Sequence, residues 1–392
     1  MQGNRVVIVG AGKIGRGFIA HLLWMAAVPF TFVESRGDVV EGLRAQGRYR
    51  VEMLGHPEQS AEIDRFEILA WPQAGPAVAE ADTIFTAVGG NRLTEAGQSL
   101  APLLALRQQV GAARAINIVT CENWPHPAAQ LRQALVAERP GLLSEPGKIG
   151  IAEATVLRSC IEPTPEQAAI DPFTVQAQSY WELQIDRDAL VAPLPAVSGF
   201  RLLPNFQTAL SRKLYTYNAA SATLAFLGLL AGHRYLHEAA GDPRVLAMAS
   251  AVLNETGRAV CQRYGYTEEE QRQFADSALA KYSDPNLPDP LERQVRDPLR
   301  KLGPHDRLVG AASLCQEAGI VPRALALVIA AGLRYAEPSD PSARALQAKL
   351  GEDGVDAVLT EVCGIDPMGQ LAHLIRGRIP DVDRFIRGET VM

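Results

Sequence analysis

The sequence predicts an α/β domain with added strands, followed by a mainly α-helical domain. Three observations predict this. Short apolar β runs alternate with helical stretches through the first half, one strand-to-helix junction carries a GxGxxG pattern, and long helical periodicity takes over after about Pro195. At 392 residues the chain is long enough for more than one domain, and we divide it into 1–195 and 196–392.

The β runs justify the first domain in order. "RVVIV" (5–9) is a strand, followed by a glycine turn and an amphipathic helix to about Trp24. "PFTFVE" (29–34) is the second strand, and "YRVEML" (49–54) and "FEILA" (66–70) read as added strands. "DTIFTAV" (82–88) and "AINIVT" (115–120) are buried-type strands, each followed by a helix, and "FTVQAQSYWELQI" (173–185) is a further β-rich segment. Beyond 195 the helical patterns cover 205–231, 243–264, 267–281, 305–317, 322–335, 339–350 and 353–362. The stretch 283–304 holds five prolines and reads as a non-helical insert.

Composition excludes several classes. A net charge of −6 argues against a general nucleic-acid binder, because counterion release needs clustered positive charge. No apolar run reaches the ~18 residues needed to span a membrane. Cys121, Cys160, Cys261, Cys315 and Cys363 are dispersed, with no CxxC and no metal-ligand spacing, which predicts free thiols in a reducing compartment and no metal site. The chain enters "RVVIVGAG" without a leader pattern, so a cytoplasmic protein is expected.

In "VVIVGAGKIGRGF" the glycines follow a strand and open a helix, the context a dinucleotide fingerprint requires. Gly10 permits the tight turn, Gly12 lets a pyrophosphate approach the backbone, and Gly15 allows the helix to pack against the strand. The expected domain is therefore Rossmann-like, with Gly10, Ala11, Gly12, Lys13, Ile14 and Gly15 at the cofactor. Glu34 ends the second strand nineteen residues after Gly15, placed to accept from ribose hydroxyls and to repel the extra phosphate of NADP. NAD is favoured over NADP, with Arg36 as the opposing sign. Ala87, Val88 and Gly89 in "TAVGG" end another strand with small residues that let a cofactor pass. "TCENWPH" (120–126) presents Glu122 and Asn123. Read blandly, Asn123 is a turn or cap residue before a helix from Pro125.

The segments "GAGKIGRGFI", "TAVG", "CEN", "RKLYTYNAASATLAFLGLLAGH" and "DPLRKLGPHDRL" occur in the order seen in the mannitol dehydrogenase family of polyol-specific long-chain dehydrogenases, and the chain resembles that family from Val6 to about Ala336. The resemblance implies metal-independent hydride transfer between NAD and a secondary alcohol of a sugar alcohol or its phosphate. It makes Lys213 the general base, with Asn218 and Asn123 holding the reacting oxygen. A neutral lysine base requires a pKa lowered from ~10.4 toward ~7–8. On sequence pattern alone, a solvated lysine near a helix start is the favoured reading of Lys213, and the resemblance reverses it.

Three departures bear on the substrate. Family members commonly carry histidine where this chain has Ser221, an Asp-Arg pair where it has Leu157 and Arg158, and an acidic residue before the lysine where it has Leu210 and Ser211. Ser221 is assigned to substrate binding. The basic segment 293–307 reads either as a phosphate-binding element, with Arg300 and Lys301 leading, or as an exposed loop paired with its own acids. His233 and His237 read as packing or surface residues.

The leading expectation is interconversion of a polyol phosphate and a ketose phosphate of the mannitol 1-phosphate and fructose 6-phosphate kind. The alternatives are a same-fold dehydrogenase for an unphosphorylated polyol, a hexuronate-type acid or a cyclitol, and an inert NAD-binding sensor. The expected partner is a small polyol or sugar phosphate, and the expected state is a monomer or weak dimer.

Overall fold

The computed structural model describes residues 5–109 and 114–391, and the chain divides after Phe206 into two compact units. The first holds twelve strands: β1 (Val6–Val9), β2 (Phe30–Glu34), β3 (Tyr49–Leu54), β4 (Ala61–Ile63), β5 (Glu67–Ala70), β6 (Thr83–Thr86), β7 (Ile116–Thr120), β8 (Ile149–Thr155), β9 (Cys160–Ile161), β10 (Val175–Gln178), β11 (Leu183–Asp186) and β12 (Phe200–Leu203).

Eight of them form one sheet, in the order β12-β11-β8-β7-β6-β1-β2-β5. The run from β5 to β8 is parallel throughout, with β1 at its centre between β2 and β6. This is the doubly wound order in which the strand direction of travel reverses beside β1 and a ligand crevice opens. β11 returns antiparallel to β8. Apolar residues alternate between the two faces. Val6 and Ile8 pack with Phe18, Leu22 and Leu23 on one side, and Val7 and Val9 pack with Leu93, Leu100, Leu104 and Leu131 on the other.

The remaining strands form a separate four-stranded sheet, β4-β3-β10-β9. Of the two added strands read from the sequence, β5 joins the main sheet and β3 does not. The segment 173–185 is likewise split: β10 pairs with β3, and β11 pairs with β8. Tyr49, Val51 and Val175 of the small sheet share the apolar layer of Phe18, so this sheet packs on the helix that follows the glycine turn. β8 has a weak β signature, since Gly150, Ala152, Glu153 and Ala154 interrupt the β-branched residues of "IGIAEAT". Its position requires the glycine: a Cβ at Gly150 would meet the Ala189 carbonyl and Asn117 Oδ1, each at 2.8 Å. β12 lies beyond 195, and the first unit therefore reaches Phe206.

The second unit is helical. Helix Ala219–Leu230 is buried from Ala219 through Gly228, and Arg323–Leu333 is buried from Ala324 through Leu333. Helices apolar on every side belong in a core, and Pro243–Tyr264 packs against both. Pro341–Glu361 is two helices joined across a kink at Gly354 (φ 81°). The proline-rich insert is not wholly extended: Leu291–Val295 and Pro298–Lys301 are short helices. Pro298 occupies a first-turn position, where its missing N–H costs nothing. A final helix, Gln370–Ile386, ends the fold. Among the described residues no helix is long and apolar enough to cross a membrane.

Arg158 is buried in the first unit without a carboxylate partner among the described residues. Its Nε donates to the Tyr180 carbonyl at 2.7 Å and its Nη1 to the Gly17 carbonyl at 2.8 Å, while the guanidinium lies 4.3 Å from the Trp181 ring centroid. It thus ties the end of β8 to the helix after the glycine turn. Arg158→Ala is expected to lower unfolding stability by about 3 kcal/mol, through two unpaired carbonyls and a cavity. Arg158→Met, which refills the volume, should cost less. Urea midpoints that rank the two variants the other way would contradict this account.

Candidate active site

Two clusters carry chemistry, one in each unit. In the first unit, β1 runs into Gly10, whose φ of 101° only glycine adopts easily. A Cβ on Gly10 would stand 2.6 Å from the Ala87 carbonyl, and one on Gly15 would stand 2.1 Å from the Gly10 carbonyl. Around Gly12 the sole neighbour is the Ala87 carbonyl at 3.8 Å, so its face is open. The turn is shaped from within by Ala11 and Ile14, which are packed inward. Gly10, Gly12, Lys13, Glu34, Ala87 and Val88 line a cleft of about 390 Å³ at the carboxyl ends of the strands. Gly89 is exposed with φ 85°, and it begins the turn into the next helix.

Glu34 is buried, and its Oε2 accepts from the Ala11 N–H at 2.9 Å. Its Oε1 accepts from the Ser35 and Arg36 N–H groups at 2.9 and 3.0 Å, and the Arg36 guanidinium lies at 3.3–3.4 Å. Burial pushes the carboxyl up, and the bonds from Arg36 and Ala11 more than offset it, so the group lies below its ordinary value. Glu34 therefore pins the glycine turn to β2 and keeps its charge. These features fit a dinucleotide: an open backbone at Gly12, a helix N-terminus and an ionised acid at the end of β2.

Sequence reasoning passed over Arg16, Trp71 and Glu162, which also line the cleft. Trp71 arrives because β5 pairs with β2, and Glu162 because the small sheet folds back to place it 3.0 Å from Lys13. Long-range pairing of this kind leaves no local signal. Glu122 turns inward, accepting from Thr86 Oγ1 at 2.8 Å and the Val88 N–H at 3.0 Å, and so links the ends of β6 and β7. Burial raises its pKa. Asn123 is exposed in the bend that follows, and the next helix runs Pro127–Glu138 with His126 at its cap position. Asn123 is thus not the cap of a helix from Pro125.

In the second unit, helix Phe206–Lys213 passes into a π-helical turn, Leu214–Asn218, and then into Ala219–Leu230. Lys213 lies at the junction rather than at a helix start. In an α-helix, residues five apart point about 140° away from each other. Winding with i→i+5 bonds, as from the Ala219 N–H to the Leu214 carbonyl, swings Asn218 round toward the Lys213 side. Such bulges recur at functional sites. Two neighbours hold this turn. Gln271 Nε2 donates to Thr216 Oγ1 at 2.8 Å, and the Tyr282 hydroxyl donates to the Tyr217 carbonyl at 3.0 Å.

Lys213 is 9% exposed. Burial, with the charges of Arg307 and Lys281 adding, brings its pKa down from 10.5 to about 7. Ser221 is buried, and its Oγ donates to the Asn218 carbonyl at 3.1 Å beside the Tyr282 hydroxyl. In the basic segment, Arg300 pairs with Asp297 at 2.8 Å and Asp306 at 3.0 Å. Lys301 is buried and donates to the Gln294 carbonyl at 2.5 Å. Burial brings Lys301 to about 7, with Arg307 and Arg300 adding to the shift. His233 pairs with Asp242 at 3.2 Å, and His237 stacks on Tyr235. Among the described residues no group of three or more histidine, cysteine or acidic side chains is placed to hold a metal ion.

The fold and the glycine cleft define a Rossmann-domain protein with a helical second unit. The profile of the mannitol dehydrogenase Rossmann domain matches residues 4–199, and that of the mannitol dehydrogenase C-terminal domain matches residues 206–376. The chain belongs to the mannitol dehydrogenase family. It is 32% identical over 375 residues to a mannitol-1-phosphate 5-dehydrogenase of Brevibacillus brevis, covering 94% of this chain and 95% of that one. Two solved structures share the fold at 16% identity. Pseudomonas fluorescens mannitol 2-dehydrogenase, in a ternary complex with NAD and D-mannitol, has a TM-score of 0.75 over 98% of this chain and 94% of that one. A substrate-free D-sorbitol dehydrogenase has a TM-score of 0.80 over 99% and 94%.

A lysine whose pKa falls on folding has a definite effect on stability. Below pH 7 both folded and unfolded chains hold the proton and the burial cost is present in full. Between 7 and 10.5 the unfolded chain binds more protons, so stability rises with pH; above 10.5 the cost is gone. Lys213→Met should therefore be more stable than wild type at pH 6, by at most about 5 kcal/mol, and the advantage should shrink toward zero near pH 10.5. Urea unfolding at both pH values measures it, and a pH-independent difference would be incompatible with the shift.

Proposed function

We propose that the protein is an NAD-dependent dehydrogenase that interconverts a polyol phosphate and a ketose phosphate, the mannitol 1-phosphate and fructose 6-phosphate pair or a near relative. The observation that carries this reading is Lys213, buried on a π-helical turn with its pKa near 7. The relative covering 94% of the chain supports the phosphorylated substrate.

In this reading Lys213 takes the hydroxyl proton at Nζ, without a metal. A lysine near its ordinary 10.5 would be protonated at neutral pH and unable to accept it; at about 7, half the molecules hold the free amine. The Asn218 amide, brought toward the Lys213 side by the π-turn, donates to the same oxygen as it gains negative charge. One such donor is worth about 3 kcal/mol. When bound, the nicotinamide cofactor would supply the hydride acceptor. The glycine turn and Glu34 hold the dinucleotide, and the ionised Glu34 favours a free ribose diol over a 2′-phosphate.

A second reading, an unphosphorylated polyol or other hydroxylated substrate, is favoured by one observation: Arg300 and Lys301 already spend hydrogen bonds on Asp297, Asp306 and the Gln294 carbonyl. Arg307 is paired as well, its Nε with Asp306 at 2.7 Å, but its charge is the one in this segment that acts on Lys213, and we take it as the phosphate candidate. NADH formation with mannitol 1-phosphate and with mannitol, offered separately with NAD, decides between the readings. Turnover on the phosphate, with a KM at least tenfold higher in Arg307→Met, is expected; turnover on mannitol alone would reject the leading reading.

The polyol-oxidation rate should rise with pH through about 7 and level off above it, because the free amine is the active form. Lys213→Ala should lower kcat by about 10²–10⁴-fold and leave the NADH dissociation constant within twofold. A variant that retains full turnover would exclude Lys213 as the base. NAD binding without turnover in the wild-type chain would instead favour a sensor.

A further inference from the structure

The glycine fingerprint explains why a diphosphate can approach the turn through backbone N–H groups. It does not explain Arg16, the residue after the third glycine. This side chain is 6% exposed and yet lines the cleft with Gly10 and Gly12. Its Nη1 donates to the Ala11 carbonyl inside the turn, while its Nε is buried without a hydrogen-bond partner. No carboxylate forms an ion pair with it among the described residues. The acids whose charge reaches it are committed elsewhere, Glu34 to Arg36 at 3.3 Å and Glu162 to Lys13 at 3.0 Å.

The small sheet holds Arg16 in this position. The Tyr49 ring of β3 and the Phe173 ring ahead of β10 each lie 6.0 Å from the guanidinium carbon. The Tyr49 hydroxyl donates to the Arg16 carbonyl at 3.1 Å. A Cβ on the next residue, Gly17, would stand 2.6 Å from Val175 Cγ1, so β10 is pressed against this turn of helix. A buried guanidinium with an unused donor and no carboxylate is costly unless an anion completes it.

We propose that Arg16 is a diphosphate-binding residue, a cation held beneath the glycine turn by the four-stranded sheet and completed by the pyrophosphate of the dinucleotide. The inference rests on the dinucleotide reading above and adds to it a side-chain charge that the backbone fingerprint lacks.

The test separates phosphate binding from support of the fold. Binding of ADP, adenosine and NADH is measured by calorimetry for wild type, Arg16→Met and Arg16→Lys. Arg16→Met should weaken ADP and NADH by roughly ten- to a hundredfold and leave adenosine within twofold. The salt dependence of ADP binding should fall with it, since one charge contact is lost. Arg16→Lys keeps the charge without the fork and should lose three- to tenfold on ADP, again with adenosine unchanged. Should Arg16→Met fail to fold, this variant carries the test alone. Equal losses for ADP and adenosine would reduce Arg16 to a scaffold residue, and unchanged ADP binding would overturn the proposal outright. Wild-type protein that binds neither ADP nor NADH would overturn the dinucleotide reading itself, a result distinct from any variant effect.

Discussion

The first unit depends on one close approach, that of the Gly15 backbone to the Gly10 carbonyl. No side chain fits there. Because the helix can lie directly against the turn, its N-terminus meets the crevice, Phe18 reaches the Val6 and Ile8 face of the sheet, and Arg16 falls under the turn. Glu34 holds the same turn from the other side through the Ala11 N–H.

The second unit shows the matching constraint on charge. An ammonium kept out of water is unstable as a cation, and the neighbouring charges of Arg307 and Lys281 make it more so. The helix bearing it departs from α-geometry at that residue, and the departure is held by Gln271 and Tyr282 from another helix. Ser221 spends its hydroxyl on its own helix.

Much of this was legible in the residues. The short, continuous apolar runs placed β1, β2, β6 and β7, and the glycine spacing placed the cleft at the end of β1, because these signals are local and steric. The motif around Lys213 was legible as a resemblance, while its pattern alone favoured a solvated surface lysine. β8 was not legible, since its glycine is required by neighbours 30 to 40 residues away in sequence, Asn117 and Ala189.

The sequence by itself determined the class of both units and the chemistry available at the glycine turn and at Lys213, for these follow from which backbone conformations and side-chain groups are present. Only the tertiary structure decided which groups are free to act. Strand pairing detached β3 and β10 into a second sheet and brought Glu162 to Lys13 and Tyr49 to Arg16. Packing buried Lys213 and committed Arg300 and Lys301 to partners of their own. Burial and pairing set the ionisation and availability of a charge, and both depend on residues distant in sequence.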